Sequence, residues 1–263
     1  MTELLANPQI FIPFSTFVGL IFGSFYGMSV YRYIAELSIV DPPRSLCPHC
    51  GHTLQWWENI PILSYVLLLG RCSTCKKAID VMYPLIEICS AIWGGLLAYK
   101  YGFGATWAVY MFFGGLFLFA SFVDFAIYIL PDRVTLLGIP LALVSNIIIN
   151  PMDYMTTLEF YGLGALCGGG TFWVMQQLYR IIRKQEGLGT GDVKLMFTIG
   201  ALVGPIALPL VVTIASVSGL FASGFYMIRE GDGAQSRVPF GPFLCLGAMV
   251  VLLYESEIWR FVS

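Results

Sequence analysis

The chain has 263 residues, a net charge of −2, 57% hydrophobic residues and only 11% charged ones, with a mean hydropathy of +0.78. That balance lies outside the range of a soluble globular domain and points to a polytopic membrane protein. The partners it implies are membrane lipid rather than nucleic acid.

Apolar runs able to cross about 30 Å of hydrocarbon recur along the chain. They lie near residues 10–31, 83–99, 105–123, 134–150, 160–182, 193–204, 207–228 and 238–254, the sixth being short and rich in glycine. The amino-terminal stretch lacks the positively charged region of a cleavable signal peptide, so the first run is expected to stay in the mature protein. If the amino terminus lies outside and eight spans alternate, twelve of the fourteen Lys and Arg fall in or beside cytoplasmic loops, leaving Lys100 and Arg260 outside. This positive-inside bias fixes the expected orientation and supports the count of eight.

Between the first two runs, residues 34–82 form the one stretch long and polar enough to be a separate extramembrane unit. It carries Cys47 and Cys50 in "CPHC" and Cys72 and Cys75 in "CSTC", with 21 residues between the pairs. Each CxxC turn aims two sulfurs at one point, and this double spacing is that of a four-thiolate zinc site. Disulfides are disfavoured in a reducing cytoplasm, and a thioredoxin-like site would need a βαβ pattern that is absent. His49 and His52 lie in or beside the first knuckle and are expected to be bystanders. Cys89, Cys167 and Cys245 fall in apolar runs and read as small buried hydrophobes. No internal repeat is evident. The expected fold is all-α, about eight transmembrane helices with a small cytoplasmic zinc-binding insertion, divided as 1–33, 34–82 and 83–263.

Ionisable groups at membrane depth are functional candidates by default. Glu87 begins the second run, Asp124 ends the third in "FASFVDFAIYILPDRVT", and Asp192 opens the sixth in "EGLGTGDVKL". The orientation, set by Lys and Arg alone, puts both aspartates on the cytoplasmic side. Two aspartates held close in a partly desolvated setting do not both ionise easily, so one can activate water while the other donates a proton. Such a pair titrates as a unit, and neither is assigned as fixed acid or base. Gly187, Gly189 and Gly191 permit tight turns and close approach of a substrate chain. The alternative is that Asp192 is simply an N-cap. The Walker phosphate-loop pattern is excluded, because "GDVKL" lacks the required Lys followed by Ser or Thr. Asp132, after Pro131, reads as a turn and cap leading into the fourth run.

Five stretches in this order resemble the type IV prepilin peptidases, bacterial inner-membrane aspartic proteases of the GxGD class: "GLIFGSFYGMSVYRY", the cysteine-bearing stretch from Arg44 to Glu87, "DFAIYILPD", "GLGTGDVKL" and "VPFGPFLCLGA". The resemblance implies that Asp124 and Asp192 are the catalytic pair. It implies that the substrates are type IV prepilins or the pseudopilins of type II secretion, cut after a glycine at the cytoplasmic face to release a short basic leader. It further implies N-methylation of the new terminus with S-adenosylmethionine, the cysteine-bearing insertion marking the bifunctional type. One departure stands out: Tyr26 and Gly27 follow "GSF", where the family commonly has Asn. Glu58 and Glu186 are placed to attract a basic leader or are simply solvated loop carboxylates, and Glu87 reads as a methyl-transfer or buried structural residue.

Two other classes compete. A transporter would carry its acids nearer the bilayer midplane, on broken helices paired in two halves, and neither feature is found. A zinc-bearing assembly factor would need the cysteines and be indifferent to the two aspartates.

Overall fold

The computed structural model describes residues 7–41, 43–150, 153–185, 187–230 and 238–254, together with 257 and 260. Glu186 and Arg237, both used in the sequence reading, lie outside the described residues. Nine α-helices are found among the described residues and no strand. They are α1 (Pro8–Ile34), α2 (Leu63–Leu67), α3 (Met82–Tyr101), α4 (Ala105–Ile127), α5 (Asp132–Ile149), α6 (Tyr154–Arg183), α7 (Thr190–Val203), α8 (Leu208–Glu230) and α9 (Gly241–Leu253). Every one of the eight expected apolar runs falls on a helix, and α2 is a short extra turn inside the cysteine-bearing segment. Four whole helices, α1, α3, α4 and α5, together with the Leu208–Phe225 part of α8, are long and apolar enough to cross a membrane. The chain forms two compact units, residues 1–126 and 127–263.

In the first unit, α1 turns the soluble-protein pattern inside out. Its large apolar side chains, among them Phe14, Phe17, Ile21, Phe22 and Phe25, are exposed, while Ser15, Gly19, Gly23 and Gly27 are buried. These four small residues recur every fourth position, one stripe of the helix, and that stripe packs on α3. A Cβ on Gly23 would lie 2.7 Å from Glu87 Cα, and one on Gly94 would lie 2.5 Å from the Ser15 carbonyl oxygen. Backbones this close need small residues, as membrane helices commonly do where dispersion rather than water expulsion drives association. The Ser15 hydroxyl donates to the Gly94 carbonyl at 2.7 Å and accepts from Trp107 Nε1 at 2.8 Å, linking α1 to α3 and α4. Tyr26 stands over Gly115 of α4, so the residue that departs from the family pattern occupies space that a side chain at 115 would fill.

In the second unit, α7 is central: it packs against α5, α6 and α9. Gly138 of α5 accommodates Thr198, and a Cβ on Gly168 of α6 would lie 2.6 Å from the Met196 carbonyl oxygen. The last carbonyls of a helix lack intrahelical partners, and Asn146 Nδ2 donates to those of Ala201 and Leu202 at 3.0 and 3.2 Å. At 14 residues, α7 is about 21 Å long by its rise, short of a full bilayer crossing. Glycines bound it at both ends. Gly189 is the N-cap, and the C-cap Gly204 takes φ +74 and ψ 172, a region open essentially to glycine alone.

Candidate metal centre and active-site residues

The two cysteine turns are built alike. In the first, the Cys47 N–H donates to the His52 carbonyl and the Gly51 N–H to the Cys47 carbonyl, both at 2.9 Å. In the second, the Cys72 N–H donates to the Lys77 carbonyl at 2.9 Å and the Lys76 N–H to the Cys72 carbonyl at 3.1 Å. Single antiparallel bridges, Leu46 with Thr53 and Arg71 with Ala78, close the two turns at equivalent positions. The residue directly after the second cysteine of each is left-handed, Gly51 at φ +69 and Lys76 at φ +59. Residues 46–53 and 71–78 are therefore a structural repeat that the sequence reading did not detect.

The repeat brings the four sulfurs within 4.8 Å of one another, and the Cys47 and Cys75 Sγ atoms are 3.8 Å apart. A metal with M–S bonds of 2.3 Å at the centre of a sulfur tetrahedron requires edges of about 3.8 Å, so the four thiols fit a tetrahedral metal ion. Backbone N–H groups of Cys75 and Thr74 point at the Cys72 sulfur and hold that thiol down to about 6. This favours the thiolate that a metal needs. Cys245 is buried, whereas Cys89 and Cys167 are partly exposed, and none of the three joins the cluster.

Around the cluster, the acidic side chains are committed to the fold. Glu58, at 6% exposure, is buried rather than turned out toward a basic ligand. Its Oε2 accepts from the Gln55 N–H at 2.6 Å and lies 3.1 Å from His52 Nε2. Burial alone would raise the Glu58 carboxyl, but the bonds from Gln55, Ser73 and His52 bring it below its ordinary value. His52 stands outside the four-sulfur group and is the partner of Glu58, while His49 is exposed. Glu87, 7% exposed on α3, accepts from the Ile62 N–H at 2.7 Å. Ile62 has φ +60, a strained conformation for a β-branched residue, so this bond pins the start of α2 to a membrane helix.

The two aspartates sit at helix ends, one in each unit. Asp124 lies in the last turn of α4 and is 5% exposed. Asp192 is the third residue of α7, not its N-cap. That position belongs to Gly189, and a Cβ there would lie 3.1 Å from Asp192 Oδ2. The carboxylate therefore leans back over Gly189, inside the first helical turn, where the orphan N–H groups and the helix dipole favour negative charge. Asp132 opens α5 behind the N-cap Pro131, and its Oδ1 pairs with Lys194 Nζ at 2.7 Å. The turn reading of Asp132 holds, with an ion pair to α7 that the sequence did not reveal.

The amino-terminal part, residues 17–101, matches the bacterial peptidase A24 N-terminal domain, and residues 111–224 match the type IV leader peptidase family. The prepilin leader peptidase/N-methyltransferase of Pseudomonas putida is 33% identical over 98% of this chain and 96% of its own length. The protein of the same name from Neisseria gonorrhoeae is 30% identical over 100% of this chain and 97% of its own. The chain belongs to the type IV leader peptidase family. This leader peptidase is also 35% identical to the like-named protein of Burkholderia pseudomallei strain K96243, over 96% of this chain and 88% of that one. It is a multi-pass membrane enzyme of the leader peptidase/N-methyltransferase type. No solved structure matches this family member.

Proposed function

We propose that this protein is an inner-membrane aspartic endopeptidase, its active site facing the cytoplasm, that removes the basic leader of type IV prepilins and type II secretion pseudopilins after a glycine. Asp124 and Asp192 are the catalytic pair. One carboxylate draws a proton from a water molecule, which attacks the scissile carbonyl carbon. The other carboxyl donates its proton to the carbonyl oxygen and, as the intermediate collapses, the leaving amine is protonated. The pair shares its protons, and the roles belong to the pair rather than to one residue. The observation that carries this reading is the Asp192 carboxylate folded over Gly189 in a glycine-bounded helix start, within a chain matched nearly end to end by leader peptidases.

The same protein then methylates the exposed amine with S-adenosylmethionine. The four cysteines hold a structural zinc ion in the cytoplasmic segment 34–82. This metal stabilises a segment whose roughly 50 residues bury little core of their own. The peptidase bundle comprises residues 83–263.

The test is co-expression with a candidate prepilin and measurement of the intact mass of that substrate. Wild type removes the leader and adds a methyl group; Asp124→Asn and Asp192→Asn each leave the leader on. Cleavage persisting in both variants would overturn the catalytic assignment.

A further inference from the structure

Between its two cysteine turns, the extramembrane segment of the first unit presents an apolar surface. From Trp56 to Gly70 the one charged residue is Glu58, and it is buried. Trp56 is 79% exposed, and Leu63, Val66, Leu67 and Leu69 are exposed as well, Leu69 at 85%. The helix α2 buries none of its residues and packs on the 3-10 turn Trp56–Asn59, so these side chains share one surface. A single exposed leucine is ordinary, whereas a contiguous apolar set marks contact with a protein or a membrane.

Two contacts fix the depth of this surface. On α3 the exposed apolar row begins at Leu85 and Ile88 and continues to Ile92 and Leu96, which marks where lipid meets that helix. Glu87 lies within the first turn of that row, accepts from the Ile62 N–H at 2.7 Å, and bonds the Ser24 side chain of α1. It is the sixth residue of α3, about 7.5 Å along the helix from its first residue. The start of α2 is therefore held level with the point where α3 enters hydrocarbon. On α1 the matching row ends at Phe25. Phe25 and Ile21 line a recess of about 500 Å³ that Trp56, Asn59 and Pro61 also line, so the apolar surface continues from the lipid-facing side of α1. Tryptophan is enriched at this depth of a bilayer.

We propose that Trp56 and the α2 turn form an interfacial anchor, with Leu63, Val66, Leu67 and Leu69 seated in the phospholipid leaflet on their side of the membrane. A segment that enters a leaflet has to satisfy its own backbone. The N–H groups of Ser64, Val66, Leu68, Leu69 and Gly70 all donate to carbonyls of residues 60–66, and that of Ile62 goes to Glu87. Arg71, exposed two residues beyond Leu69, ends the apolar run with a cation suited to anionic headgroups. Cys72 follows Leu69 by three residues, at most about 11 Å of extended chain. The metal centre thus rides at headgroup level instead of standing off in water. The inference stands on the membrane helices α1 and α3 and is independent of the roles proposed for the two aspartates.

The experiment uses the full-length protein in nanodiscs of phosphatidylethanolamine and phosphatidylglycerol. A photoreactive benzoylphenylalanine replaces Leu67 in one sample and Leu69 in another, and Phe25 of α1 in a third as the lipid-facing reference. An unchanged melting transition certifies each fold. After irradiation, both α2 samples should gain the mass of one phospholipid, as the Phe25 sample does. Leu67→Asp, which adds a charge that the leaflet would have to accommodate, should cut the adduct yield at Leu69 severalfold. No lipid adduct at either α2 position, with the Phe25 sample labelled, would place the turn in water and overturn the anchor. An adduct to a co-reconstituted prepilin, or to a second copy of this chain, in place of lipid would also overturn it and make the surface a protein dock.

Discussion

Gly189→Ala isolates the position of the Asp192 carboxylate from its identity. Gly189 has φ −64 and ψ 138, a conformation alanine adopts freely, so the backbone is not strained. Alanine is a poorer N-cap than glycine, which costs the helix about 1 kcal/mol at most. The added Cβ, however, would sit 3.1 Å from Asp192 Oδ2, against about 3.4 Å for ordinary contact, so the carboxylate has to retreat by about 0.3 Å. A misplacement of ~1 Å at a reacting group can cost about 100-fold in rate. Scaled linearly in free energy, 0.3 Å costs about fourfold, and Gly189→Val, with two further methyl groups, costs more. Initial rates of leader removal from a purified prepilin, followed by intact mass at saturating substrate, should fall in the order glycine, alanine, valine, while melting temperatures move little. A Gly189→Val enzyme turning over at the wild-type rate would refute the view that Asp192 acts from this position.

Four further outcomes are expected. Asp132→Asn should leave leader removal intact, since it breaks only an exposed ion pair with Lys194, worth about 0–1 kcal/mol, and a melting scan plus the mass assay checks both points. Cys47→Ser should abolish stoichiometric zinc by elemental analysis, and chelator should lower the melting temperature of wild type but not of the variant; small zinc peptides, at about 10 kcal/mol of apparent metal affinity, set the scale. Glu58 is held below its ordinary value of 4.5, so its contribution is complete above that pH and is lost as pH falls through its lower folded value. The melting-temperature gap between wild type and Glu58→Gln should therefore stay constant from about pH 8 to 5.5 and close only below the glutamate range. Gly168→Leu drives a side chain into the Met196 carbonyl and should destabilise the second unit by about 1–3 kcal/mol, read as a lowered melting temperature in detergent.

The helices and the metal cluster were legible because their signals are local and repeated. Twenty apolar residues in a row need no partner to be recognised, and two CxxC turns announce four convergent sulfurs. What the sequence concealed has a different physical character. The α1–α3 contact is made by Ser15, Gly19, Gly23 and Gly27, residues whose contribution is the absence of a side chain, so hydrophobic periodicity does not reveal it. Glu87 meets a backbone N–H, a donor every non-proline residue carries, which leaves no side-chain signature at Ile62. Glu58 reads from the sequence as a loop carboxylate open to water or to a basic leader, yet its partners are the Gln55 N–H and His52, bonds that only the folded turn creates.

The two knuckles make the same point most sharply. "LCPHCGHT" and "RCSTCKKA" share only their cysteines, so no sequence comparison of residues 46–53 with 71–78 marks them as a repeat. Their likeness is in the backbone: the same two hydrogen bonds, the same closing bridge, and the same left-handed residue directly after the second cysteine. Glycine fills that position in the first turn at no steric cost, and lysine tolerates it in the second. What two such turns must share to aim four sulfurs at one ion is backbone geometry, and side chains other than the thiols are free to differ. The metal site therefore constrains four residues by chemistry and the remaining twelve only by shape.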